Sequence, residues 1–114
     1  MKKDASVFLN HIIESIADID FFIKNITKEE FLKNREKQNA VIRSLEIIGE
    51  AVKNIPESTK KRYPSIPWKE IAGTRDKVIH HYFMINLDVV WDIIRKDIPE
   101  LKKEILKVRE DLKK

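Results

Sequence analysis

Only two glycines and four prolines punctuate 114 residues, and between them apolar side chains return at helical spacing from one end to the other. That combination excludes collagen-like and low-complexity chains, and it excludes turn-rich all-β architectures, which need many more backbone breakers. Phe8, Leu9, Ile12, Ile13, Ile16 and Ile19 follow an i, i+3, i+4, i+7 pattern and predict one amphipathic helix over roughly residues 4–25. Thr27 followed by Glu30 is a capping box, so a helix restarts there and carries Phe31 and Leu32. Val41, Leu45, Ile48 and Val52 predict a second long helix ending before Pro56. Gly49 in its middle costs about 1 kcal/mol against alanine, and a close approach of another helix would compensate.

Pro56, Pro64 and Pro67 bracket a short helix over Glu57–Tyr63, and Pro67 suits the first position of the next one, with Trp68 and Ile71 facing inward. Gly73-Thr74 interrupts that helix. Thr74 is then expected to cap a helix over Arg75–Phe83, and Asn86 the next, whose buried stripe is Val89, Val90, Ile93 and Ile94. Asp97-Ile98-Pro99 reads as a fresh cap, with Leu101, Ile105, Val108 and Leu112 on the inner face of a last helix. No strand emerges. The expected fold is all-α, a bundle of four to five helices forming a single domain over 1–114. Such a length supports one core and not two.

The absence of cysteine removes disulfides, thiolate metal sites and thiol nucleophiles. No apolar run is long enough to span a bilayer, and no signal-peptide pattern opens the chain, so a cytoplasmic protein is expected. The net charge of +4 is unevenly spread: residues 53–77 hold seven basic and three acidic side chains and alone equal it. Such a segment attracts a polyanion, or is a solvated lysine-rich surface. Three of the prolines and one glycine fall in the same stretch, residues 56–73, the one irregular part of the chain, which leads directly into Arg75.

The chemistry concentrates in Arg75-Asp76-Lys77-Val78-Ile79-His80-His81-Tyr82. Adjacent His80 and His81 would point about 100° apart on a helix, with no HExxH spacing, which argues against a metal site. His11 lies beside Ile12 and reads as structural or surface. Imidazole moves protons near neutral pH and guanidinium holds phosphate, the pair that metal-free phosphodiester cleavage requires. The same pair also serves an ordinary helix–helix hydrogen-bond network, and spacing does not choose between them. On a continuous helix Arg75 and Tyr82 share a face while Arg75 and His80 do not.

Arg75-x4-His80-x-Tyr82 resembles the Arg-x4-His-x-Tyr signature of the HEPN ribonucleases of the HepT type. Leu45-Glu46-Ile47-Ile48-Gly49-Glu50-Ala51, Pro67-Trp68-Lys69-Glu70-Ile71-Ala72-Gly73-Thr74-Arg75-Asp76 and Leu87-Asp88-Val89-Val90-Trp91-Asp92 are similar to that family's segments in the family's order, from about Ser6 to Leu106. The resemblance implies a HEPN-type bundle that forms a homodimer, bringing two motif copies into one cleft. It implies a metal-independent endoribonuclease, the toxin of a toxin–antitoxin pair, needing no cofactor of its own. Arg75 and His80 would be catalytic. Tyr82 would accept AMP from an MntA-type nucleotidyltransferase antitoxin, with ATP and Mg²⁺ belonging to that partner. Asp76, His81 and Glu50 are possible accessory residues, as is Glu46. The alternative is a non-catalytic HEPN subunit that binds nucleotide or RNA beside such a nucleotidyltransferase.

Overall fold

The computed structural model describes residues 4–74, 79–80 and 84–113, without the side chains of 79, 80 and 84. Helix α1, Ala5–Ile23, begins where the Asp4 carboxylate accepts the Ser6 N–H at 3.0 Å. Asn25, in the left-handed region at φ 61°, turns the chain after it; asparagine tolerates that conformation better than most residues. The expected capping box starts α2, Lys28–Lys33: Thr27 N–H donates to Glu30 Oε1 at 3.0 Å and Glu30 N–H to Thr27 Oγ1 at 3.1 Å. The Thr27 N–H first, and then the Thr27 hydroxyl at 3.1 Å, donate to the Glu30 carboxylate and hold it below the ordinary carboxylate range.

Asn34 caps α3, Arg35–Asn54, through Lys37 N–H. Helices α4, Glu57–Arg62, and α5, Trp68–Ala72, occupy the proline-bracketed stretch as the sequence predicts. Tyr63 between them joins three parts of the molecule. Its carbonyl accepts the Trp68 indole N–H at 3.0 Å, and its hydroxyl meets Asp111 Oδ2 at 3.3 Å. Asn86 caps α6, Leu87–Asp92, accepting Val89 N–H at 3.2 Å.

Leu9, Ile12, Ile16 and Ile19 of α1 face Val41, Leu45, Ile48 and Val52 of α3, and all are buried. Phe31 is completely buried, with its ring 5.3 Å from Trp91 of α6. Val90, Ile93, Ile94, Leu101, Ile105 and Val108 close the core from the C-terminal side. The fold is all-α, as expected. No helix among the described residues is long and apolar enough to cross a membrane.

Two local expectations are corrected. Asp97 caps nothing: α6 runs through a π-helical segment, Ile93–Asp97, into α7, Ile98–Leu112, as one rod. Pro99 has no N–H and its ring crowds the carbonyl four residues back. Widening the preceding turn, with Ile98 N–H reaching Ile93 O, takes up that crowding. The second correction concerns the helix expected over Arg75–Phe83. Ile79–His80 and Met84–Ile85 instead form a short antiparallel pair, with Ile79 opposite Ile85 and His80 opposite Met84. Ile79 and Ile85, which face each other in this pair, are β-branched, a type that prefers extended backbone.

Candidate active site

The described residues on either side of the motif segment are held in place by the fold. On its N-terminal side α5 lies against α3 at Gly49, where a Cβ would stand 3.3 Å from Ala72 O. This is the close approach that the mid-helix glycine predicts. The Thr74 hydroxyl donates back to Ile71 O of α5 at 2.8 Å; the N–H groups it is expected to cap lie outside the described residues. On the C-terminal side the Asn86 cap fixes the start of α6. Between these anchors Arg75, Asp76, His81 and Tyr82 lie outside the described residues. The backbone of His80 is placed opposite Met84, and its side chain lies outside the description. Because Ile79–His80 is extended, the helical-wheel relation between Arg75 and His80 does not apply.

The accessory carboxylates can be located. Glu46 and Glu50 sit one turn apart on exposed positions of α3 and line a cavity of about 120 Å³ with Gly49, Lys53 and Ala72. They therefore face the end of α5, three residues before Arg75. Glu50 Oε1 is 3.6 Å from Lys53 Nζ, an exposed pair that contributes little to stability. His11 is exposed with its ring edge-on to Phe8, as the surface reading predicted.

Sequence reasoning missed a second cavity on the opposite side of α5, about 450 Å³. Leu45, Ile48, Ile93 and Leu101 line it, while Glu70, Thr74, Lys96, Asp97, Glu100 and Glu104 supply its polar groups. The only signal in the sequence was the three- and four-residue spacing of Asp97, Glu100 and Glu104. Nothing in it showed that α5 would lie alongside. Burial pushes the Glu104 carboxyl above its ordinary value, with nearby Glu100 adding to the effect. Among the described residues no group of three or more His, Cys, Asp or Glu side chains is gathered as a metal ion would need.

Two variants test this frame. Gly49→Val should destabilise the fold by about 1–3 kcal/mol, as overpacking against a fixed carbonyl does. Gly49→Ala should be close to neutral, because about 1 kcal/mol of helix propensity offsets the tight contact. Urea denaturation reads both, and a valine variant as stable as the wild type would contradict the close crossing. Glu104→Gln tests the electrostatics. A carboxyl raised in the fold holds its proton more tightly there than in the unfolded chain, so stability falls as pH climbs from the ordinary 4.5 through the raised value. The glutamine variant should be more stable than the wild type at pH 7. That gain should vanish below pH 4 in paired thermal melts, and a gain independent of pH would contradict the assignment.

An all-α bundle whose sequence carries Arg-x4-His-x-Tyr between α5 and α6 defines a class of helical proteins, and comparison with known proteins supplies the family. Residues 12–108 match the family described as HepT-like ribonucleases. A "putative RNase" of Methanocaldococcus jannaschii is 50% identical over 111 residues, covering 97% of this chain and 92% of that protein. A "probable ribonuclease HepT" of Thermococcus cleftensis is 47% identical over 109 residues, covering 96% of this chain and 99% of that one. A third relative, again from M. jannaschii, is named a gamma-glutamylcyclotransferase and "putative RNase". It is 48% identical over all 114 residues, which span about half of its length (51%). No solved structure gives a significant match. The chain belongs to the HepT-like ribonuclease family.

Proposed function

We propose that this chain is a metal-independent endoribonuclease, the toxin of a toxin–antitoxin pair, acting in the cytoplasm as a homodimer whose cleft holds two copies of the motif. One observation carries the reading: the family match over residues 12–108 encloses an intact Arg75-x4-His80-x-Tyr82. In this mechanism His80 removes the proton as a ribose 2′-oxygen attacks the adjacent phosphorus, or returns one to the departing 5′-oxygen. Arg75 neutralises the charge that builds on the non-bridging oxygens. The P–O5′ bond breaks as the P–O2′ bond forms, leaving a 2′,3′-cyclic phosphate and a 5′-hydroxyl. Glu50 and Glu46, exposed on α3 beside the end of α5, and Asp76 and His81, within the motif, are the accessory residues of this reading. Cleavage of RNA in the presence of chelator, lost on substitution of His80, is the test.

Silencing follows from the same site. Tyr82 accepts AMP from an MntA-type nucleotidyltransferase, which brings its own ATP and Mg²⁺. The added phosphate places negative charge where RNA must enter. Incubation with that enzyme, ATP and Mg²⁺ should raise the mass of this chain in AMP increments, and Tyr82→Phe should abolish the shift. A shift that persists in the phenylalanine variant would refute the assignment.

A further inference from the structure

A groove of about 690 Å³ runs along the outer side of α4 and α5, and Lys53, Lys60, Lys61 and Lys69 supply its charge. Only two carboxylates share it, Glu57 and Glu70. Two of the lysines are already engaged: Lys60 Nζ is 3.6 Å from Glu57, and Lys53 Nζ is 3.6 Å from Glu50. Lys61 and Lys69 are exposed, and among the described residues neither has a carboxylate partner. Among the described residues the groove thus presents two cations on separate helices outside any ion pair, with Glu70 as the one further carboxylate beside them. A lysine-rich helix face alone would be an ordinary solvated surface. Here the lysines border a concave channel whose apolar floor includes Ile66, Pro67 and Trp68.

The direction of the channel separates it from a generic basic patch. Lys53 and Ala72 of this groove also line the small cavity with Gly49 and Glu50, so the two adjoin at that end. Ala72 closes α5, and the chain passes from it through Gly73 and Thr74 into Arg75. A polyanion lying in the groove is therefore led to the base of the motif segment. The groove's aromatic group is not offered for stacking: Trp68 is buried, and its indole N–H is spent on Tyr63 O. Nearby, the Tyr63 ring is covered by the Arg62 guanidinium, 5.7 Å from its centroid. Phosphate contacts without stacking give binding that tolerates any base sequence.

We propose that the α4–α5 groove is a backbone-binding path for single-stranded RNA, in which Lys61 and Lys69 contact phosphates upstream or downstream of the scissile bond. This deepens the ribonuclease reading and rests on it for the identity of the polyanion. The experiment measures binding instead of turnover, so the two fail separately. A labelled 2′-O-methyl RNA 20-mer, which lacks the attacking hydroxyl, is titrated with the purified full chain by fluorescence anisotropy between 50 and 300 mM KCl. Lys61→Ala/Lys69→Ala should bind about tenfold more weakly at low salt, and the slope of log affinity against log salt should shrink by about 1.4, the loss of two phosphate contacts. Lys28→Ala/Lys102→Ala removes the same charge away from the groove, at residues paired with Asp88 and Asp20, and should leave affinity within twofold. Adenine and uracil homopolymers should bind alike. Wild-type affinity and slope in the groove variant would overturn the proposal, as would equal losses in both pairs or no RNA binding by the wild type. Retention of an acidic protein partner but not RNA would do the same. A wild type that binds through the groove without cleaving would overturn the ribonuclease reading and leave the groove standing.

Discussion

His80→Ala should lower RNA cleavage by about 10²–10⁴-fold while leaving the protein folded, because it removes a proton-transfer group from a reaction that moves two protons. Arg75→Ala should cost about 10²–10³-fold, the usual effect of deleting one charge-stabilising donor. The two losses should not add, since both act on one transition state. His80→Gln separates proton transfer from packing: it keeps the volume and a hydrogen-bonding group but cannot titrate, so it should be as inactive as the alanine variant. Cleavage should depend on pH in the wild type as imidazole titrates and lose that dependence in both variants. If His80 were only part of a helix–helix hydrogen-bond network, alanine would reduce stability and spare the rate. Initial rates on a labelled RNA, paired with urea denaturation of each variant, distinguish these outcomes.

The largest effect on stability should come from Phe31→Ala. Phe31 is fully buried between α2, α3 and α6, and its ring lies 5.3 Å from Trp91. Removing a buried phenylalanine costs about 3–5 kcal/mol, through lost transfer energy and the cavity left behind. Against the 5–15 kcal/mol typical of a domain that is a large share, and Tm should fall by roughly 15–25 °C. The capping box at Thr27 aims this short helix but cannot replace the anchor, since such a cap contributes about 1 kcal/mol. Phe21 supplies the control. It is 74% exposed, so Phe21→Ala should change stability by less than about 0.5 kcal/mol. Comparable losses from both substitutions would contradict the core described.

The contrast between these two phenylalanines also shows what the sequence carried. Long helices were legible because Leu9 to Ile19 and Val41 to Val52 repeat the period over several turns, and caps at Thr27 and Asn86 are chemically explicit. Gly49 was legible through its cost, which only a close crossing offsets. Ile79–His80 was misread as helical because a short stretch rich in β-branched and aromatic groups satisfies either period, and its partner, Met84–Ile85, is not signalled by spacing. Asp97 was misread because a cap signal and Pro99 together look like a helix start. They cannot reveal that a π-turn will take up the crowding instead. Of the candidate site, the motif itself was legible as chemistry, and Glu46 and Glu50 as neighbours on one face of α3. The groove could be foreseen only as charge, since its walls come from α4 and α5, whose relative placement depends on Tyr63 and Trp68.

The central proposal is that this chain cuts RNA through the RNA's own ribose 2′-hydroxyl without a metal ion. The most direct test incubates the purified wild-type protein with a defined RNA in EDTA and identifies the new ends by mass. A 2′,3′-cyclic phosphate paired with a 5′-hydroxyl is the predicted result. Intact RNA from a well-folded protein, or fragments ending in 3′-hydroxyl and 5′-phosphate, would contradict it.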